Sequence, residues 1–387
     1  MEPAIARAPL IQRLSHFGKA PRGRLGAALL LFAGLSGCAR DGAPMLTETW
    51  RIGLGALSLA VDAQGAALAV ACSRSNDVWV LNLADGSLRH RIDTLPRPRA
   101  VLFHPERELF FVAEGLSSVA QVRLEDQRVA RRVRPRSRVS RLAYEPVRER
   151  LFGAHQGLPT LGVYRLRDMH LESSLAVGGE VSDLAFGDGD AWLVTRQADA
   201  LVRLTLIDLS VKASVLAGPE PRGLDLLTGL DRALVACHGR KGEASPLALP
   251  TPVPSPDTLA PAAPEGEEPG PEAALAEAEP SPLPSGGRHW DGGGLAVYRL
   301  SDVRRLDYIE LPGGPMAVMA DAQGRRAAVA CADGKLRIVD LEKRKVLHSM
   351  DLGGRPGAVQ RHPDGRHLLI ALQDQKALLK VLPGVDW

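Results

Sequence analysis

The residues of this chain that could do chemistry recur at a fixed spacing. Ser73, Glu114, His155, Arg196, His238, Ala332 and Gln373 each follow the end of a short apolar run. Those ends are Cys72, Ala113, Ala154, Thr195, Cys237, Cys331 and Leu372, spaced 41, 41, 41, 42, 94 and 41 residues apart. Arg99 and Arg222 stand where two further apolar segments begin. If the seven runs are equivalent, Arg99, Glu114, His155, Arg196, Arg222 and His238 come together around one opening. Guanidinium groups match the geometry of carboxylates and phosphates, so such a ring suits an anionic ligand. A carboxylate beside a histidine is also the raw material of general acid–base catalysis, which makes Glu114 and His155 the catalytic candidates. The third reading is a polar, wet rim with neither role.

Other reactive residues argue for structure. Cys72, Cys237 and Cys331 end equivalent runs and read as small buried apolar residues, not metal ligands or redox thiols. No Cys-x-x-Cys-His, Gly-x-Gly-x-x-Gly, Walker or His-Glu-x-x-His pattern occurs, so no cofactor and no metal is implied. A basic run comprises Arg123, Arg128, Arg131, Arg132, Arg134, Arg136, Arg138 and Arg141. It has no interleaved aromatics on which bases could stack, so nucleic acid is not the expected partner. It reads as a solvated rim, or as a contact for anionic headgroups or an acidic partner.

The elements that must position these residues form a repeat. Leu59–Val61, an Asp-Ala-Gln-Gly turn, Ala67–Cys72 and Val78–Leu81 recur as 317–324, 327–331 and 336–340. Four short strands per unit of about 40 residues is the signature of a propeller blade. Seven registered copies predict an all-β, seven-bladed propeller over 47–387. The seventh copy stops after Ala377–Leu382, and a matching fourth strand, Glu48–Ile52, precedes the first copy. The N-terminal strand is therefore expected to close the last blade. Pro221-Arg-Gly223, Pro363-Asp-Gly365 and Phe111-Val-Ala113 resemble the YVTN-repeat propeller family by pattern, although no intact Tyr-Val-Thr-Asn tetrad occurs. That family, WD40-like in its repeats, spans surface proteins, binding proteins and relatives of sugar-lactone hydrolases. The resemblance thus implies a fold more than a function.

The fourth copy and the sixth are separated by one that carries an insertion. Residues 242–289 hold twelve prolines and eight acids against one base, Arg288. Such a segment cannot bury enough surface to fold and reads as a disordered loop in blade five. It is either a tolerated insertion or a partner-binding tether.

The N-terminus reads as a targeting segment. Five bases precede an apolar run, 25–35, that is too short to span a bilayer. Leu35-Ser36-Gly37-Cys38 follows and resembles a bacterial lipobox. The resemblance implies cleavage before Cys38, acylation of its thiol and, with Ala39 next, sorting to the outer membrane. An ordinary secretory signal is the alternative. The expected organisation is a signal peptide over 1–37, a tether over 38–46 and the propeller beyond. Removing 1–37 leaves 43 bases and 44 acids. The functional expectation is a lipid-anchored extracytoplasmic binding or scaffold module that engages a protein or anionic ligand. A lactonase-like hydrolase is the alternative.

Overall fold

A computed structural model describes residues 43–93, 96–104, 109–115, 117–135, 137–240, 292–384 and 387. The signal segment, Cys38 and the insertion 242–289 lie outside the described residues. The described strands form seven four-stranded antiparallel sheets. Six sheets are consecutive meanders, covering 56–92, 100–133, 139–176, 181–216, 221–310 and 315–351. The seventh joins Pro356–Arg361, Leu368–Leu372 and Ala377–Leu382 to the N-terminal strand Met45–Arg51. This is an all-β seven-bladed propeller, closed as the sequence pattern predicts. The closing strand starts three residues earlier than Glu48.

The strand sequences follow from their radial position. Second strands lie between neighbouring blades, so both of their faces need apolar residues. Ala67–Cys72 and Asp190–Thr195 are buried at every position. Outer strands, where the blades diverge, are mostly exposed, as in Val129–Val133 and Leu171–Ala176. The apolar clusters accordingly fill the seams between blades. One joins Val78, Val80 and Ile92 of blade one to Phe110, Val112 and Val122 of blade two.

The repeated turn has a mechanism. Asp62 accepts the N–H groups of Ala66 and Ala67 through Oδ1, at 2.7 and 2.9 Å. Gly65 supplies the left-handed conformation, φ +67, that the turn needs. Asp321 and Gly324, φ +64, repeat the arrangement in blade six.

Ring closure is built on Trp50, which pairs with Leu378 in register and is 5% exposed. Its indole N–H donates to Glu48 at 2.8 Å, and Lys380 pairs with the same carboxylate at 2.8 Å. The ring lies against Gly86 of blade one, where any Cβ would collide with it. One indole thus fixes the last blade to the first.

Candidate functional site

The inner strands share one irregularity. In six blades the pairing with the second strand shifts just after the first inner-strand residue, as between Val139 and Arg141 or Pro221 and Gly223. A bulge re-aims the extra residue. Here it turns Leu57, Ser140, Ser182, Arg222, Met316 and Gly357 towards the axis. Arg99 holds the corresponding place in blade two, its N–H bonded to Ala113 O at 2.9 Å. All seven line a central cavity of about 600 Å³.

The charged lining is four arginines, Arg99, Arg141, Arg196 and Arg222, and two acids, Glu180 and Asp183. Arg196 is committed to Glu180 at 2.6 Å. Arg222 bonds Glu220 at 2.9 Å, while its buried Nε has no partner among the described residues. Arg141 donates to the Ser140 carbonyl at 3.2 Å. Among the described residues, the Arg99 side chain has no ion pair. Burial, then the charges of Arg138 and Arg141, lower its pKa against the opposing pull of Glu180. These neighbours leave positive charge concentrated at the blade two–three side of the mouth.

Asp183 is half-buried where it lines the channel, and burial pushes its carboxyl up despite Arg141 nearby. It accepts Leu224 N–H at 2.9 Å from the next blade. Asp225 repeats the device one blade on, accepting Ala320 N–H at 2.7 Å. These carboxylates staple inner strands together.

The sequence-predicted ring divides. Arg99, Arg196 and Arg222 line the cavity; Glu114, His155 and His238 do not. For Glu114 and His155 the reason is a register slip of one residue. The second strands end at Glu114 and His155, not at Ala113 and Ala154. Glu114 pairs with Ser118 as Cys72 pairs with Asp77 and Thr195 with Ala200. The residue after each strand donates its N–H to the connection leading into the inner strand. Gln156 does so to Arg138 O at 2.7 Å, Arg196 to Glu180 O at 2.9 Å and His238 to Glu220 O at 3.0 Å. The mouth position is therefore Gly115 in blade two and Gln156 in blade three. A shift of one residue on a strand sends every side chain to the other face.

Glu114 and His155 instead face the seam with the preceding blade. Glu114 is 3% exposed and accepts from Arg132 Nη2 at 2.9 Å, Arg132 Nε at 3.2 Å and the Ser118 hydroxyl. His155 Nδ1 lies 2.8 Å from Thr160 Oγ1, and its buried Nε2 has no partner among the described residues. Burial lowers the His155 pKa. The pair thus lacks access to the cavity from which it could act on a ligand. Burial, then the charge of Arg222, lowers the His238 pKa against a backbone hydrogen bond with Gly314.

Sequence reasoning missed Arg141, Gln156, Glu180 and Asp183. Arg141 was grouped with the basic run of blade two, but it lies on the inner strand Val139–Glu145 of blade three. The rest of that run is also divided: Arg123 pairs with Asp126, Arg131 reaches the Asp168 carbonyl, and Arg136 lies outside the described residues. The second-strand thiols are free and fully buried, and burial pushes Cys72 up to about 12 and Cys331 to about 11. Among the described residues no group of His, Cys, Asp and Glu side chains could hold a metal, and no helix is long and apolar enough to cross a membrane. Comparison with protein-family models and with curated proteins finds no match for this chain.

Proposed function

We propose that the chain is a lipid-anchored, extracytoplasmic binding propeller of the YVTN-repeat type, which takes an anionic ligand at the mouth of its channel. The observation that carries the ligand class is Arg99. Its guanidinium faces the cavity without an ion-pair partner among the described residues, and other arginines crowd it. A carboxylate or phosphate would relieve that crowding and gain charge-assisted hydrogen bonds. The anchor rests on Leu35-Ser36-Gly37-Cys38, with outer-membrane placement following from Ala39. A lactonase-like hydrolase is the second reading; its candidates Glu114 and His155 face a blade seam and do not line the cavity, so a lactone assay separates it from binding.

Calorimetric titration of the full chain with inorganic phosphate and with hexaglutamate tests the ligand class. Arg99→Ala should weaken the ligand that binds by about 1–2 kcal/mol, the range of a hydrogen bond to a charged group. Failure of both probes to bind, or binding indifferent to Arg99→Ala, overturns the reading. Intact-mass analysis of the mature N-terminus tests the anchor, with an acylated Cys38 as the expected product.

A further inference from the structure

The two faces of the propeller differ in what they expose. Inner strands begin, second strands end and outer strands end on the mouth face, as the pairings Ala56↔Cys72, Cys72↔Asp77 and Val78↔Ile92 establish in blade one. Outer strands therefore begin on the opposite face, where the hairpin turns after the inner and third strands also lie. Nearly all the exposed large apolar side chains collect there. Val147, Ile207 and Leu230 stand on those turns, with Val147 82% and Ile207 75% exposed. Leu88, Leu171, Val211, Leu306 and Val346 stand at the beginnings of five outer strands. Met45 and Leu46 open the closing strand. Leu158, on the mouth face, is the exception among the described residues.

We infer that this face rests on a lipid bilayer, so that the end of the channel carrying Arg99, Arg196 and Arg222 points away from the membrane. The inference rests on the proposed acylation of Cys38. Two observations favour a bilayer over a protein partner. The chain enters the propeller on this face, at Met45, seven residues after Cys38. Seven residues span at most about 25 Å, so a lipid at Cys38 keeps this rim near the surface. Four of these apolar residues also stand directly before charges: Val147 before Arg148, Ile207 before Asp208, Leu171 before Glu172 and Val211 before Lys212. The core of a protein interface is depleted of charge. Apolar tips alternating with charges instead suit the headgroup boundary, where the tips reach the acyl chains and the charges stay wet.

The test uses the full chain purified from its own membranes and placed in vesicles of phosphatidylethanolamine and phosphatidylglycerol that contain spin-labelled lipid. A fluorophore is attached in turn to Val147→Cys, Ile207→Cys and Leu158→Cys; the described native thiols are buried and the parent chain, labelled in parallel, gives the signal of any free Cys38 to be subtracted. Quenching at positions 147 and 207 should exceed that at 158 at least threefold. Equal quenching at all three, or more at 158, overturns the inference. So does protection of 147 and 207 in a dimer seen by sedimentation, which would make this face a contact between copies. Mass analysis of Cys38 separates the two claims. An acylated chain without quenching at 147 and 207 sinks the orientation and leaves the anchor. Quenching with an unmodified Cys38 sinks the anchor and leaves the orientation.

Discussion

The Glu114 carboxylate accepts two hydrogen bonds from the Arg132 guanidinium, 2.9 Å from Nη2 and 3.2 Å from Nε, with the acid 3% exposed and the base on the outer strand of its blade. The pair spans blade two from its second strand to its edge. It gives Glu114 a part in holding the blade together.

Removing either partner should therefore be read out in melting. Arg132→Ala strands a buried carboxylate and should cost about 3 kcal/mol. Glu114→Gln keeps the acceptor and the volume and should cost about 1 kcal/mol. Urea titration checks the order. A larger loss for Glu114→Gln than for Arg132→Ala would show that the acid has a role beyond this pair.

Blade two also shows why the fold was legible in the sequence while the site was only half so. Second strands buried on both faces leave an unmistakable apolar run, and the missing fourth strand of copy seven pointed to Glu48–Ile52. The register inside a blade had no such marker. Cys72, Thr195 and Cys237 close their strands with small residues, so Ala113 and Ala154 looked equivalent. In fact Glu114 and His155 remain in the ladder because Ser118 and Thr160 offer them partners across the third strand. Arg141 was obscured for a different reason: a run of arginines in sequence crosses from one blade's edge to the next blade's centre.

His155 should make the fold acid-sensitive. Its pKa is lowered in the folded state by burial, so the unfolded chain takes up its proton first as pH falls. Stability from this group is full above the ordinary histidine value, near 6.5, and is lost as pH falls below it. Asp183 and Asp225 act with the opposite sign, since their raised values favour the folded state at lower pH. Comparing thermal melts of the parent and His155→Gln at pH 7.5 and 5.5 cancels the aspartate contribution. The parent should lose more stability than the variant over that interval. Parallel losses would mean that His155 is not held neutral by burial.

Ring closure predicts a large effect from a residue near the start of the described chain. Trp50→Ala empties the contact with Gly86 and leaves Glu48 with one partner fewer, at a cost of about 3–5 kcal/mol. Gly86→Ala attacks the same contact from blade one, forcing a Cβ into the indole at a left-handed position. Both should lower Tm by many degrees. A parent-like melt for either variant would contradict closure through Trp50.

The second-strand thiols should behave as core. Cys72, Cys237 and Cys331 are fully buried, and burial raises all three pKa values, which suppresses the reactive thiolate. A maleimide should leave them unmodified in the native chain and modify them in concentrated guanidinium. Rapid native labelling of any one would reveal an opening of its seam.

The channel offers the sharpest separation of binding from catalysis, through Arg196 and Glu180. Their 2.6 Å contact makes Glu180, among the described residues, the one lining acid paired with a lining arginine. Arg196→Ala removes a positive charge and also uncovers a negative one, so it should weaken an anion by more than the loss of one contact. Glu180→Gln alone removes repulsion and frees Arg196, and should tighten binding. The double variant should recover much of the affinity lost by Arg196→Ala, giving a coupling of about 1–2 kcal/mol between the positions. All of these changes should shrink at high salt, because channel charges still exchange with solvent ions. A hydrolase would show another pattern: one residue would dominate turnover, and removing it would abolish the rate with little change in affinity. Calorimetry and a sugar-lactone assay on the same four proteins compare the two. Unchanged affinity in all three variants would remove Glu180 and Arg196 from the ligand site. Lactone turnover abolished by a single lining residue would replace the binding module with an enzyme.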